Sequence, residues 1–444
     1  MVAFDRPLVV GDGLAYLIWL DSIAMDGDLD LANQAARFAR VNTYHIYLNP
    51  QTGRWASAFP LGAALLLAPF YRVGAWLDAL PALRVNDAHF IGIQGVPFAY
   101  SLCIMVGINM YTLLIVGMGY RIARRFTRPW PAAVATIAVY LGTPLFFYTS
   151  VEPLNSHIAG GFAATLFTFL WLRARDGSCP FDRLRASALQ RDTLGWLWAG
   201  LAAGLTALCR WQVALIALPA GMEALLCRRW REVLALGVGF ALLAWVIPYS
   251  WWQMYGTPAL IPATQGDQSA VLIAPVNTLH VLFSPIAGLF PWSPIAALAL
   301  VGLVPLARRD WRLALIALLM FVSQALVCGA VKNWWAGTGF GMRRMAELYP
   351  IYLLLLAALI GAAGGRVRSP APTALVLALT AILALYGVAL VLARLNFTWT
   401  NPWGLARDTP IVEMRYTFSR EHWRLMWPVI KDHVGPWAWK KPGP

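Results

Sequence analysis

The sequence has little charge for its length. Only 13% of its 444 residues are charged and 59% are hydrophobic, whereas about a quarter of the residues in a soluble domain are charged. With a mean hydropathy of +0.59, this composition excludes a soluble globular protein and predicts a polytopic membrane protein. The net charge of +14 does not indicate nucleic-acid binding, because the basic residues lie in small groups at the ends of apolar runs. No nucleic-acid partner is therefore predicted.

Cysteine is scarce as well. The count of five is odd and includes no CxxC pair, which argues against a disulfide framework and a zinc site. No apolar core precedes Gly11, so the sequence predicts no cleavable signal peptide. Aromatic residues are abundant instead, with 22 Trp and 15 Tyr, and these residues suit the belts that anchor a protein at the two membrane interfaces.

Long apolar runs dominate the chain between residues 96 and 394, the predicted transmembrane domain. A helix needs about twenty apolar residues to cross a bilayer, and by this measure the sequence predicts an all-α protein with about ten transmembrane helices. Their approximate bounds are 96–120, 130–149, 156–172, 194–209, 211–227, 233–252, 286–306, 312–331, 346–363 and 372–393. The run 59–76 is short and contains Pro60, Pro69 and Arg72, so it is predicted to lie beside the membrane without crossing it.

Basic residues divide the short loops into two groups. Alternate loops hold seventeen basic residues and the opposite loops hold four, so the loops with seventeen are predicted to be cytoplasmic. The four on the other side are Arg210, Lys332, Arg343 and Arg344. Residues 1–95 then form an extracytoplasmic acidic loop with juxtamembrane helices, and 395–444 form an extracytoplasmic tail rich in aromatic residues. If 59–76 crosses the membrane, the acidic loop is cytoplasmic instead.

The segment 11–30 concentrates the few acidic side chains. Five of the 21 acidic residues lie here, namely Asp12, Asp21, Asp26, Asp28 and Asp30. Carboxylates beside a membrane are costly unless they are solvated, bound to cations or used in chemistry. An EF-hand counted from Asp26 needs Gly at its sixth position and Glu at its twelfth, where Leu31 and Arg37 stand, so that motif is excluded. A solvated turn and a looser divalent-cation site, formed by Asp12 with Asp26, Asp28 or Asp30, both stay open, and Asp21 is interpreted as solvated.

Basic residues of the external loops have two interpretations each. Lys332, Arg343 and Arg344 share one short loop, where they would bind a phosphate or diphosphate through charge-assisted hydrogen bonds or would pair with the headgroups of membrane lipids. Arg210, at the external end of a predicted span, would contact phosphate or would extend its charged end to the interface.

Three further residues are ambiguous by themselves. Glu152 and His157 bracket an external turn, where together with Asn155 they would seat an acceptor or a metal, or would simply be solvated. Asp12 precedes the apolar stretch LAYLIWL, so it would cap a helix or act as a general base.

An ordered set of motifs resembles the GT-C superfamily of membrane glycosyltransferases. It looks most like a bacterial branch of the protein mannosyltransferase and aminoarabinose transferase group. The motifs are GDG at 11–13 with DGDLD at 26–30, FPLGAALLLAPF at 59–70, LCRWQ at 208–212, LFSPIAGLFPWSP at 282–294 and NWWAGTGFGMRRMAELYP at 333–350. They occur in the family's order over most of the chain.

The resemblance implies an inverting transfer of a sugar from a polyprenyl-phosphate donor to a lipid, glycan or protein acceptor outside the bacterial plasma membrane. It implies that Asp12 is the catalytic base, and that the substrates are contacted by Lys332, Arg343, Arg344, Arg210, Glu152 and His157. The chain departs from the family in two ways. Gly13 follows Asp12 where the family often has a second acid, and no span precedes Gly11, so the chain is predicted to lack the family's first transmembrane helix.

Two other functions fit a polytopic membrane protein. A transporter or flippase of lipid-linked sugars usually shows internal repeats and ionisable residues at mid-membrane, whereas the predicted spans here are almost free of charge. An inactive scaffold is the third interpretation, because of the predicted absence of a first span. The placement of the ionisable residues on one face favours the enzyme.

Overall fold

The computed structural model describes residues 12–37, 46–80, 96–177, 188–258, 274–336, 339–365 and 371–400. The first part of the chain contains three helices and a small hairpin. The helices are α1 (Asp12–Asp21), α2 (Ala32–Arg37) and α3 (Gly62–Asp78), with a π-helical turn at Ser22–Asp26. The strands β1 (Ile46–Leu48) and β2 (Trp55–Ser57) pair antiparallel, with Ile46 opposite Ser57 and Leu48 opposite Trp55.

The rest of the described chain is helical. Its first helices are α4 (Phe98–Ala123), α5 (Pro129–Leu141), α6 (Pro144–Ser150), α7 (His157–Gly177), α8 (Ala188–Cys209), α9 (Ala217–Leu226), α10 (Trp230–Ala244) and α11 (Val246–Tyr255). The later ones are α12 (Thr278–Phe283), α13 (Leu289–Trp292), α14 (Pro294–Val301), α15 (Leu303–Arg309), α16 (Trp311–Gly329), α17 (Tyr349–Gly365) and α18 (Ala371–Thr400). Two 3₁₀ turns, Trp211–Ile216 and Arg343–Leu348, precede α9 and α17.

The chain is an α-helical integral membrane protein, as its composition predicts. Among the described residues, five helices are long and apolar enough to cross a membrane, or six if the bent pair α5–α6 counts as one span. On the continuous span α10–α11, Trp230 and Trp252 are both more than half exposed. They lie about 33 Å apart at about 1.5 Å per residue, which matches the two interfaces of a bilayer core of about 30 Å.

The predicted number of about ten spans is not confirmed, because several predicted spans are broken. In 130–149, α5 and α6 meet at an angle of 71°. Thr143 is extended there, with ψ 163°, because Pro144 disfavours a helical conformation in the residue before it. The predicted span 286–306 is divided among α13, α14 and α15, and α14 begins at Pro294. A hydropathy profile does not reveal such breaks.

Helix α1 is a core element. All of its residues from Gly13 to Asp21 are buried, and it packs against α3, which in turn packs against α4. The sequence predicts only juxtamembrane helices in residues 1–95. It does not predict that α1 is buried in the core, and it does not predict the β1–β2 hairpin. Helix α3 covers most of the run 59–76, with Pro69 inside it, and is not among the helices long and apolar enough to cross a membrane. Helix α18 extends to Thr400, past the predicted boundary at residue 394, and the tail 401–444 lies outside the described residues.

Candidate active site

The first residue of α1 forms an ion pair with the first residue of the 3₁₀ turn before α17. A nitrogen of the Arg343 guanidinium, Nη1, lies 2.7 Å from Oδ2 of Asp12, and the two side chains are 17% and 19% exposed. Gly339 packs against this arginine, since a Cβ there would lie 2.7 Å from Cδ and Nε of Arg343. The structure thus brings the predicted base and one predicted phosphate ligand together, and both stay accessible to a ligand.

Glu152 lies in the turn between α6 and α7, near this ion pair. Burial raises the pKa of the Glu152 carboxyl, and the positive charges of Arg343 and Arg394 oppose that shift. The neighbouring Tyr148 accepts a hydrogen bond at its hydroxyl from the backbone N–H of Phe340, at 2.9 Å. Glu152 is therefore a half-buried acid, and among the charged groups Arg343 has the largest effect on its pKa.

A buried carboxylate, Glu347, joins two other predicted site residues. Its Oε1 lies 2.9 Å from Nε of Arg210 and 2.7 Å from Nδ1 of His157. The side chains of Glu347 and His157 are fully buried, so neither is solvated. Sequence reasoning missed Glu347, although an acidic residue directly ahead of an apolar run is a signal, because carboxylates at the edge of a membrane helix are costly and commonly functional.

This network continues to α1. The hydroxyl of Ser156 accepts hydrogen bonds from Nη1 of Arg210, at 3.0 Å, and from the hydroxyl of Tyr16, at 2.7 Å. Burial raises the pKa of Tyr16 to about 12, so its phenol keeps its proton and acts as a donor at neutral pH. Since Tyr16 follows Asp12 by four residues, the two side chains lie on one face of α1, a turn apart.

Arg343 and Arg344 point to different partners. Nη1 of Arg344 donates to the backbone carbonyl of Asn333, at 2.6 Å, and its own carbonyl accepts from Gln324, at 3.2 Å. Arg344 thereby holds the loop that carries Lys332, whose side chain is exposed. The predicted cluster of three basic residues is present in one loop, but its members do not converge on one point.

The acidic residues after α1 accept hydrogen bonds from the turn that contains them. Oδ1 of Asp28 accepts from Oγ of Ser22, at 3.0 Å, and from the N–H of Asp30, at 3.1 Å. Helix α1 and the π-helical turn separate Asp28 from Asp12, so the structure does not bring these two predicted cation ligands together. Within the described ranges, no three His, Cys, Asp or Glu side chains gather in a way that could hold a metal ion.

Asp21, at the end of α1, is buried, which corrects its interpretation as a solvated residue. It is 4% exposed and accepts hydrogen bonds from Tyr71, at 2.6 Å, and from Arg37, at 3.1 Å. Seven apolar residues in a row precede it in α1. Such a helix is buried on all sides, and a carboxylate at its end then needs partners.

No family model and no curated protein matches the chain. Three solved structures match it with probability 1.00. ArnT from Cupriavidus metallidurans in the apo state has a TM-score of 0.47 and 15% identity, covering 96% of this chain and 72% of that one. The Archaeoglobus fulgidus oligosaccharyltransferase in the apo form has a TM-score of 0.45 and 12% identity, covering 92% and 56%.

The third structure is the archaeal oligosaccharyltransferase AglB from Archaeoglobus fulgidus in complex with an inhibitory peptide and a dolichol-phosphate. Its TM-score is 0.44 and its identity 12%, covering 97% of this chain and 60% of that one. The chain thus spans less than two thirds of both oligosaccharyltransferase structures. ArnT and AglB are GT-C glycosyltransferases, the superfamily that the sequence motifs resemble, and at these scores the matches assign no substrate and no residue role to the chain.

Proposed function

We propose that the chain is a membrane glycosyltransferase that moves a sugar from a polyprenyl-phosphate donor to an acceptor on the extracytoplasmic face of the bacterial plasma membrane, with inversion. The observation that carries the proposal is the ion pair between Asp12 and Arg343, at 2.7 Å. It combines a carboxylate and a guanidinium, the two groups that this reaction needs, and both remain partly accessible.

In this reaction the acceptor oxygen attacks the anomeric carbon of the sugar. Asp12 takes the acceptor proton as the new C–O bond forms, which is the role of a general base. The bond from the anomeric carbon to the phosphate oxygen breaks, and the departing phosphate keeps the electron pair. Arg343 stabilises the negative charge that develops on that phosphate. A guanidinium has five N–H donors, more than one carboxylate uses, so Arg343 can contact Asp12 and a phosphate oxygen together.

Burial around the pair supports this role. Tyr16 and Tyr148 are both almost fully buried and lie close enough to Asp12 and Arg343 to feel their charges. In such surroundings, water screens the charges less than it does at a surface, so a fixed guanidinium stabilises developing charge more strongly.

Turnover by the purified full chain in lipid nanodiscs tests the proposal, with a panel of polyprenyl-phosphate sugars and a mixture of lipid, glycan and peptide acceptors. We expect transfer from at least one donor. Arg343→Ala should lower kcat/KM for that donor about 10- to 100-fold, because it removes charge-assisted hydrogen bonds of about 1.5–3 kcal/mol. Arg128→Ala is the control, since Arg128 is exposed in a predicted cytoplasmic loop. A wild-type chain that transfers no sugar from the whole panel would overturn the proposal.

A further inference from the structure

The proposed mechanism uses Asp12 and Arg343 and leaves the buried carboxylate of Glu347 without a role. Glu347 is 0% exposed, and an isolated buried carboxylate is strongly unfavourable. Two partners compensate its charge through one oxygen, Arg210 at 2.9 Å and His157 at 2.7 Å. The other oxygen, Oε2, and Nε2 of His157 make no hydrogen bond to any residue that the structure describes.

Those two unsatisfied atoms indicate that the group does not serve stability alone. Buried polar atoms without partners are rare in native proteins because each one costs free energy. An apolar cluster of the same volume is often as stable as a buried ion pair or more stable. A network that keeps two such atoms in the protein interior therefore suggests a use other than packing.

The stems of Glu347 and Arg210 have little freedom. A Cβ at Gly160 of α7 would lie 3.0 Å from Cδ of Arg210 and 3.1 Å from Cγ of Glu347. Both side chains thus lie against the backbone of α7 at a position without a side chain, and the surrounding packing fixes their conformations. The guanidinium of Arg210 is held in one place and can transmit that position to its other partners.

One of those partners leads to α1. Nη1 of Arg210 donates to Ser156 at 3.0 Å, and Ser156 also accepts from Tyr16 at 2.7 Å. Tyr16 is one helical turn from Asp12 on the same face of α1. A rotation or shift of α1 that displaced Asp12 would break the Tyr16–Ser156 hydrogen bond, so this bond fixes the position of the helix.

We infer that Glu347 is a positioning residue, which places the carboxylate of Asp12 through Arg210, Ser156 and Tyr16. The inference rests on the proposed role of Asp12 as the base. Glu347 orients Arg210, Arg210 and Tyr16 share the hydroxyl of Ser156, and Tyr16 sets the rotation of α1. Asp12 then meets the acceptor hydroxyl in the geometry that proton transfer requires. Small displacements of a reacting group are costly, since a shift of about 1 Å can lower a rate about 100-fold.

The test compares Glu347→Gln with Tyr16→Phe and with the double variant, in the purified full chain. Glu347→Gln keeps the size of the side chain and should lower kcat about 100-fold, with the KM for the donor within about twofold of wild type because Arg343 is untouched. Tyr16→Phe removes the hydroxyl through which Glu347 is inferred to act on α1, so it should lower kcat by about the same factor. The double variant should be no slower than Glu347→Gln, because two changes in one chain of contacts do not multiply.

Glu223→Gln is the matched control. Glu223 is also a largely buried partner of an arginine, Arg175, at 2.9 Å, at the other end of α7. The Glu223→Gln variant should lower the melting temperature about as much as Glu347→Gln does, and it should leave kcat per folded molecule unchanged. If Glu347→Gln does not fold, Tyr16→Phe alone decides, because it leaves the buried ion pair intact.

Two results would overturn the inference. One is a kcat for Tyr16→Phe and Glu347→Gln equal to that of Glu223→Gln at the same folded fraction. The other is a double variant whose loss is the product of the single losses. Asp12→Asn separates this failure from failure of the proposed function. If Asp12→Asn is inactive while Glu347→Gln and Tyr16→Phe are fully active, the positioning role falls alone, and if Asp12→Asn is fully active, both fall.

Discussion

A cluster of charged side chains around an arginine lies at each end of α7. The two clusters differ in whether their polar atoms all have hydrogen-bond partners. At the C-terminal end, Arg175 lies 2.9 Å from Glu223 and 2.7 Å from Asp310. Asp310 also accepts a hydrogen bond from the N–H of Leu313, at 2.9 Å, and so caps α16. Arg175, Glu223 and Asp310 all form hydrogen bonds here, and the cluster connects α7, α9 and α16.

At the N-terminal end, the cluster is only partly satisfied. Oε2 of Glu347 and Nε2 of His157 lack partners among the described residues, and nearby Asp12 keeps a carboxylate that is 19% exposed beside Arg343. A satisfied cluster stabilises the packing of helices and offers nothing to a ligand. An incomplete cluster with an accessible carboxylate costs stability and can do chemistry. Under the proposed function, one end of α7 serves structure and the other serves catalysis.

Removing the arginine of the satisfied cluster should give the largest loss of stability. Arg175→Met leaves two partly buried carboxylates without their cationic partner, which should cost about 3 kcal/mol, the lower end of the range for a broken buried ion pair, because these side chains are not fully buried. Thermal unfolding in detergent measures this loss. Turnover per folded molecule should stay at the wild-type value.

Arg173→Met, two residues away on the same helix, is the control for that experiment. Its side chain is exposed and lies 5.6 Å from the ring of Phe169, so its removal should cost well under 1 kcal/mol, as for surface charges in general. A folded Arg175→Met protein with much lower turnover would contradict the division of roles between the two ends.

A substitution that disturbs packing without changing any charge also tests whether stability and turnover can be separated. A Cβ at Gly239 of α10 would lie 2.3 Å from the carbonyl oxygen of Leu197 in α8, whereas one at Gly237 would meet nothing within 4 Å. Gly239→Ala should therefore cost about 2 kcal/mol through overpacking, and Gly237→Ala should be neutral or slightly stabilising. Turnover of the folded fraction should be unchanged in both. Equal melting temperatures for the two variants would show that α8 and α10 do not pack so closely.

The smallest effect is a difference in pH dependence between the two ends. Burial raises the pKa of Glu152 above its ordinary value of 4.5, so the stability it contributes is present below that value and is lost as the pH rises through the folded-state pKa. The pKa of Asp310 is lowered overall. Burial alone would raise it, but the hydrogen bonds from Arg175 and Leu313 outweigh the effect of burial. Its contribution is present above its ordinary value of 3.8 and is lost as the pH falls through the lowered one.

Thermal unfolding between about pH 3 and about pH 7 measures both effects. Glu152→Gln should gain stability relative to wild type as the pH rises. Asp310→Asn should be less stable than wild type at neutral pH, and the difference should shrink as the medium becomes acidic. Parallel curves for the two variants would mean that the two ends do not differ in this respect.

Much of the helical architecture follows from hydropathy and loop charge. The helices α4, α16, α17 and α18 match predicted spans because each is a long apolar run that ends near basic residues. The break at Thr143 was not predictable from hydropathy, since it depends on the backbone conformation that Pro144 imposes. The burial of α1 was missed because its apolar run is too short to span a membrane, although it is apolar all round.

The members of the site were predictable more readily than their pairing. Asp12, Arg343, Arg210 and His157 were each found from motif or position. The contact of Asp12 with Arg343 and the proposed role of Glu347 depend on residues far apart in the chain, which no local pattern specifies. Arg343 and its neighbour point apart because successive side chains of a 3₁₀ turn are rotated by about 120°.

The most direct test of the account is the turnover of Asp12→Asn with a bound polyprenyl-phosphate donor, measured beside its melting temperature. Asparagine keeps the size of aspartate and begins a helix about as well, but it cannot take a proton, so turnover should fall about 100-fold or more. Asp21→Asn, at the other end of α1, loses the charge that pairs with Arg37 and should lower the melting temperature at least as much while turnover stays at the wild-type value. An Asp12→Asn protein that transfers sugar at the wild-type rate would contradict the assignment of Asp12 as the base.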